Sequence, residues 1–181
     1  MVEVLMLLFA GLHTAGAALG AGGSLYAELF FTLRTHARED KERAWFATTY
    51  TALVWGMCTV LLSSIALNVL EYAIPGSPEA YLYAPLWMQY TLSLVILASA
   101  WLLSRRAFPW WLGSSLVFAG WWMLLALDAW SAISTSYIAL IFLYVMFVFI
   151  SGGVWSYLRI LSSRTSEKGM HQSSHRSTHP V

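Results

Sequence analysis

Five long, almost uncharged apolar stretches constrain this chain more than any other feature. A helix needs about 20 mostly apolar residues to cross a bilayer. Stretches of that order run from about Val4 to Leu33, Phe46 to Ala73, Leu86 to Ser104, Trp110 to Ala129 and Tyr137 to Leu161. They are too long and too uniformly apolar for the alternating strands of a membrane barrel. Composition agrees: 59% of the 181 residues are hydrophobic and 10% are charged, against roughly 25% charged in soluble domains. A soluble fold of this size has no place to hide so much apolar surface. The expected fold is therefore all-α, an integral membrane bundle of five transmembrane helices. This excludes a nucleic-acid binder, a secreted disulfide scaffold and a cytosolic enzyme. The single cysteine, Cys58, leaves no intramolecular disulfide and no cysteine-rich metal site.

The breaks between spans are polar or proline-rich. Arg34 to Arg43 is a charge run, and Pro75 to Pro85 carries three prolines and a glycine. Arg105-Arg106 with Pro109 forms a short turn, and Ser131 to Ser136 is a serine- and threonine-rich loop. No internal repeat stands out, which argues against an inverted-repeat transporter. The ten Lys and Arg residues fall in the first loop, the third loop and the C-terminal tail. With five spans these three places share one side, and the other side has no Lys or Arg and carries Glu3, Glu71, Glu79 and Asp128. The positive-inside rule then puts the N-terminus outside and the C-terminus in the cytoplasm. Residues 1–161 form the transmembrane domain, and the serine-rich tail 162–181 reads as a disordered cytoplasmic segment. The first span has no basic n-region and is too long for a signal peptide. Trp110, Trp111 and Trp130 flank the fourth span as interfacial anchors. The expected partners are the lipid bilayer and other membrane subunits or a homo-oligomer, with no nucleic acid.

The first helix is over-long. From Val4 to Leu33 it would measure roughly 45 Å against a hydrocarbon core of about 30 Å. It must tilt, project or bend, and Gly20-Ala21-Gly22-Gly23 is the weakest place along it. His13, Gly16, Gly20, Gly23 and Ala27 recur at helical spacing and share one face. Such a face admits a neighbouring helix, or a flat ligand, close to the backbone. His13 has two readings. One is a neutral imidazole hydrogen-bonded to another helix, the commoner outcome for a lone histidine. The other is an axial haem or metal ligand, with Gly16, Gly20 and Gly23 making room for the macrocycle. Ionisable groups inside membranes tend to be functional, which keeps the second reading open.

The stretch Leu12-His13-Thr14-Ala15-Gly16, continuing through Gly22-Gly23 to Leu29-Phe30-Phe31, resembles the first helix of a broad bacterial group. That group contains the haem-dependent membrane protoporphyrinogen oxidases and the copper-resistance membrane proteins. The resemblance covers under a quarter of the chain. It implies a b-type haem on His13, a redox role and a place in the bacterial cytoplasmic membrane. The chain departs from the oxidase pattern at three points. Gln89 stands near where the family carries an essential lysine, the arginine-rich C-terminal motif is missing, and there is a fifth helix. These departures suit a divergent relative better than an active oxidase.

Other candidates are weaker. Glu28 reads as a carboxylate pairing with Arg34 or Arg106 at the cytoplasmic interface, with a proton or ion path as the alternative. Asp128, one residue from the end of the fourth span, reads as solvated at the outer surface or as guarding an entry path. Asn68, Ser63, Ser64, Thr59 and Cys58 make the second helix polar enough to bond across helices. Trp121-Trp122 lies mid-span, where no interfacial anchor is needed. With Trp55, Trp87 and Trp101 it supplies packing or, as the minority reading, an aromatic-lined pocket. His171, His175 and His179 would form a metal stripe only on a helix. His36 sits in the charged loop and reads as solvated. No nucleotide-binding or hydrolase motif occurs. Three functions stay open: a redox-linked haem protein, a transporter or channel for a metal ion or small solute, and a non-catalytic subunit of a larger assembly. Soft-ligand clusters of Met or Cys, which a copper route would need, are missing from the spans.

Overall fold

The computed structural model describes residues 2–33, 39–72, 84–105, 107, 109–129 and 136–176. It contains five helices: α1 (Val2–Leu33), α2 (Glu39–Tyr72), α3 (Ala84–Ser104), α4 (Trp110–Ala129) and α5 (Tyr137–Arg176). All five are long and apolar enough to cross a membrane. No strand occurs among the described residues.

Two boundaries differ from the sequence expectation. Helix α2 begins at Glu39, inside the charge run read as a loop. Acidic residue types at a helix start favour the positive end of its dipole, which lets the helix begin early. Helix α5 runs past Leu161 to Arg176, so the tail expected to be disordered from Ser162 is helical over most of its length. Extending a helix already nucleated by an apolar span fixes one residue per added bond, whereas starting a new helix costs far more. His171 and His175 thus fall on helical backbone, while His179 lies outside the described residues. Arg34, His36, Arg106 and Trp130 also lie outside them. Helix α1 is unbroken through Gly20-Ala21-Gly22-Gly23.

Those glycines serve close packing. A Cβ on Gly16 would sit 3.0 Å from the Gly56 carbonyl oxygen, and one on Gly56 would sit 3.0 Å from that of Gly16. The two backbones therefore touch, as small residues allow in membrane bundles. Gly23 faces Leu53 and Ala52. Contacts step oppositely along the two chains, so α1 and α2 run antiparallel. The same holds for α3 and α4: Cβ atoms on Gly113 and Gly120 would lie 2.5 and 2.7 Å from Leu103 and Ile96 respectively. Helix α4 is the most enclosed of the five. It is joined to α5 by the Tyr144 hydroxyl, which donates to the Leu116 carbonyl at 3.1 Å, and by the edge-on contact of Phe118 with Trp155. Ser136 caps α5, its hydroxyl accepting from the Ala139 amide at 3.3 Å.

Polarity is arranged inside out. Buried positions include His13, Ser24, Glu28, Ser63, Ser64, Ser93, Ser99, Ser115 and Ser151, whereas Leu62, Ile65, Val69, Leu94, Phe142 and Phe149 are exposed. Trp55, Trp87 and Trp101 also lie on the exterior. A water-soluble bundle reverses this pattern. Here the exterior suits hydrocarbon, and the interior concentrates groups that hydrocarbon rejects.

Candidate functional site

Because α1 is antiparallel to both α2 and α4, residues near its beginning face residues near their ends. His13 is twelve residues into an over-long helix, which brings it level with the last turn of α4 and with a point rather more than two turns before the end of α2. The result is a buried polar cluster drawn from four helices. His13 is 4% exposed. Its Nδ1 lies 3.2 Å from Ser63 Oγ and 3.1 Å from Ser64 Oγ. Its Nε2 lies 3.3 Å from Asp128 Oδ1, at ion-pair distance but without the alignment of a hydrogen bond. Gln89 Nε2 donates to the same Asp128 oxygen at 3.2 Å.

This overturns the surface reading of Asp128, whose side chain is only 9% exposed. A carboxylate one residue from a helix end is expected in water. Here the end of α4 is covered by α1 and by the start of α3. Gln89, near the start of α3, is a donor to that carboxylate.

Hydrogen bonding sets the possible protonation states. The Ser63 hydroxyl donates to the carbonyls of Thr59 and Val60 at 2.6 and 3.0 Å. Toward His13 it can therefore act only as an acceptor, for an Nδ1–H. The Ser64 hydroxyl can instead donate to a bare Nδ1. If Ser64 donates, the imidazole proton sits on Nε2 and faces Asp128. If Nδ1 carries the proton, Nε2 and Asp128 face each other with lone pairs, and a further proton is needed between them. The cluster thus accommodates two proton counts with the same heavy-atom positions. Asp128 Oδ2 is buried and has no hydrogen-bond partner. A bare buried oxygen of this kind costs roughly 1–3 kcal/mol, which a proton or small cation would relieve.

A second charged site lies toward the opposite end of α1. Glu28 is 3% exposed, and Arg159 of α5 donates from Nη2 to its Oε2 at 2.5 Å. The expected partners Arg34 and Arg106 are outside the described residues, and the partner observed comes from the fifth helix. Arg159 is the cationic residue whose depth along α5 matches that of Glu28 along α1. Thr32 Oγ1, Thr49 Oγ1 and Arg159 Nε are buried there without partners. Arg105, at the same end, lies 5.1 Å from the Trp101 ring centroid.

The small-residue face of α1 is filled by protein. Gly16 meets Gly56, Thr59 and Val60, and the Trp121 indole lies directly over Gly20. With Nδ1 of His13 against two serines and Nε2 against Asp128, the residues as arranged do not fit a haem on this face. Among the described residues no group of three His, Cys, Asp or Glu side chains could hold a metal ion. Asn68 donates to the Tyr90 hydroxyl, tying α2 to α3, and Thr91 meets the Tyr137 hydroxyl at 2.7 Å. Cys58 is exposed. Comparison with family models, curated proteins and solved structures finds no match.

Proposed function

We propose that this chain is a multi-pass transport protein of the bacterial cytoplasmic membrane that moves a small cation, the proton first among candidates. The His13–Asp128 couple is the site that takes it up. The supporting observation is a histidine and a carboxylate from different helices, enclosed together inside membrane-length helices, with one carboxylate oxygen left bare. Charged groups are expensive in a bilayer, and those kept inside a bundle mark ion and proton routes. Histidine is also the side chain best suited to exchange a proton near neutral pH. The positive-inside rule orients the chain with its N-terminus outside, so the His13 cluster faces the outer leaflet and Glu28–Arg159 faces the cytoplasm.

The test is proton flux in liposomes holding the purified protein, read by an internal pH dye under an imposed gradient. The expected result is flux above empty vesicles that falls at least tenfold in His13→Ala and Asp128→Asn. Flux equal to that of empty vesicles would remove the reading. A visible spectrum of the same preparation addresses the redox alternative. No Soret band is expected, and a band that disappears in His13→Ala would favour haem instead.

A further inference from the structure

Helix α1 carries both charged sites on one buried face, about four turns apart. Between them the buried residues are Gly16, Ala17, Gly20, Ala21 and Ser24. Among these buried residues the polar side chain is Ser24, whose hydroxyl donates to the Ala21 carbonyl at 2.8 Å. Midway lies Gly20, and its missing side chain is replaced by Trp121 of α4. A Cβ on Gly20 would overlap the six-membered ring of that indole. Trp121 is 1% exposed and is among the largest fully buried side chains in the protein.

The register is specific. Gly20 follows His13 by seven residues on α1, and Trp121 precedes Asp128 by seven on α4. Two contacts between antiparallel helices thus repeat on the same two faces about two turns apart. The residue that closes the seam therefore stands rigidly on the helix that carries Asp128. The Trp121 indole Nε1 is buried and has no acceptor, although buried indole N–H groups usually find one. Its seat is at Gly20, which has no side chain to fill the space when the ring is withdrawn.

We propose that Trp121 is the barrier between the His13–Asp128 site and the Glu28–Arg159 pair, and that withdrawing the ring joins the two by water. This rests on the transport reading above. An apolar constriction blocks ions and protons by excluding water, so a single bulky ring is sufficient. Water admitted at Gly20 would be about one turn from Ser24, and from there it would reach the polar atoms around Glu28. A displacement of α4 on protonation at Asp128 would move the ring along with it, since both side chains ride on one helix.

The same liposome assay tests the barrier. Trp121→Ala is expected to raise proton flux at least tenfold over the wild type, and Trp121→Phe, which keeps a ring in the notch, to stay within about twofold. Gly20→Ala pushes the ring from the other side and is expected to raise flux severalfold. Adding Asp128→Asn or Glu28→Gln to Trp121→Ala should return flux to the wild-type level or below. Monodisperse Trp121→Ala with wild-type flux overturns the barrier. So does a gain that survives both carboxylate changes, because the leak then bypasses the two sites. If Trp121→Ala does not fold, the series Trp121→Phe, Trp121→Leu and Gly20→Ala decides: flux that rises as ring contact is lost supports the barrier, and equal flux overturns it. Loss of flux in His13→Ala without gain in any Trp121 variant refutes the barrier alone. Flux indifferent to His13 and Asp128 refutes the site.

Discussion

The contact between His13 and Asp128 can be measured as an energy. The perturbation is a double-mutant cycle of His13→Ala, Asp128→Asn and the pair together. At 3.3 Å, two full charges in a medium of effective dielectric 20 would attract by about 5 kcal/mol. Three features lower that figure. The imidazole is neutral in one of its two proton arrangements. The Nε2–Oδ1 approach lacks hydrogen-bond alignment. Gln89 also shares the same carboxylate oxygen at 3.2 Å. Hydrogen bonds to charged groups contribute about 1.5–3 kcal/mol, and cycles inside membrane bundles give about 0.6 on average, with a maximum near 1.7. The expected coupling is therefore about 1–2 kcal/mol, with both single changes destabilising and the double change costing less than their sum. The cycle also cancels the cavity left by removing the imidazole, since it appears in both the single and the double variant. Reversible unfolding in mixed detergent, followed by loss of helical signal, supplies the four stabilities. Additivity within about 0.3 kcal/mol would mean that the two side chains do not interact, and the site would lose its physical basis.

Three other outcomes follow from the packing. Glu28→Leu or Arg159→Met alone should destabilise the bundle by about 2–3 kcal/mol, below the usual cost of breaking a buried pair because the Arg159 side chain is 26% exposed. The two together should fall within about 1 kcal/mol of wild type in the same unfolding assay. Gly16→Leu forces a side chain into the Gly56 backbone and should cost about 3 kcal/mol or more, whereas Gly22→Leu, with nothing within 4 Å, should leave the melting temperature unchanged. In a Cys58→Ser background, a membrane-impermeant maleimide applied to intact cells should label Val2→Cys and spare Ser177→Cys. Labelling of Ser177→Cys would invert the orientation.

The helices were legible because a bilayer imposes one length scale, and each apolar stretch meets it within a few residues. The polar ends were less legible. A charge run and a serine-rich tail resemble loops in composition, yet α2 and α5 extend into them because propagation from a formed span is cheap. For Asp128, nearness to a helix end is not nearness to water, because α1 and α3 cover that end. The signal that would have placed it is depth counted from the opposite ends: His13 lies about 20 residues before the end of α1, and Asp128 about as far beyond the start of α4. That match puts them at one level. Glu28 was recognised as needing a cation, but three cationic clusters lay on its side, and only the packing of α5 against α1 selects Arg159. The small face of α1 marks a place of close approach in the sequence itself. Which body would occupy it could not be read from α1 alone, since the answer belongs to Gly56 and Trp121 on other helices.

Tethered by its histidine to α2 and α4 and by its glutamate to α5, α1 is a rod pinned at two levels about four turns apart. Sliding it lengthwise would strain both fastenings at once, so neither contact can be lost by such a shift without disturbing the other.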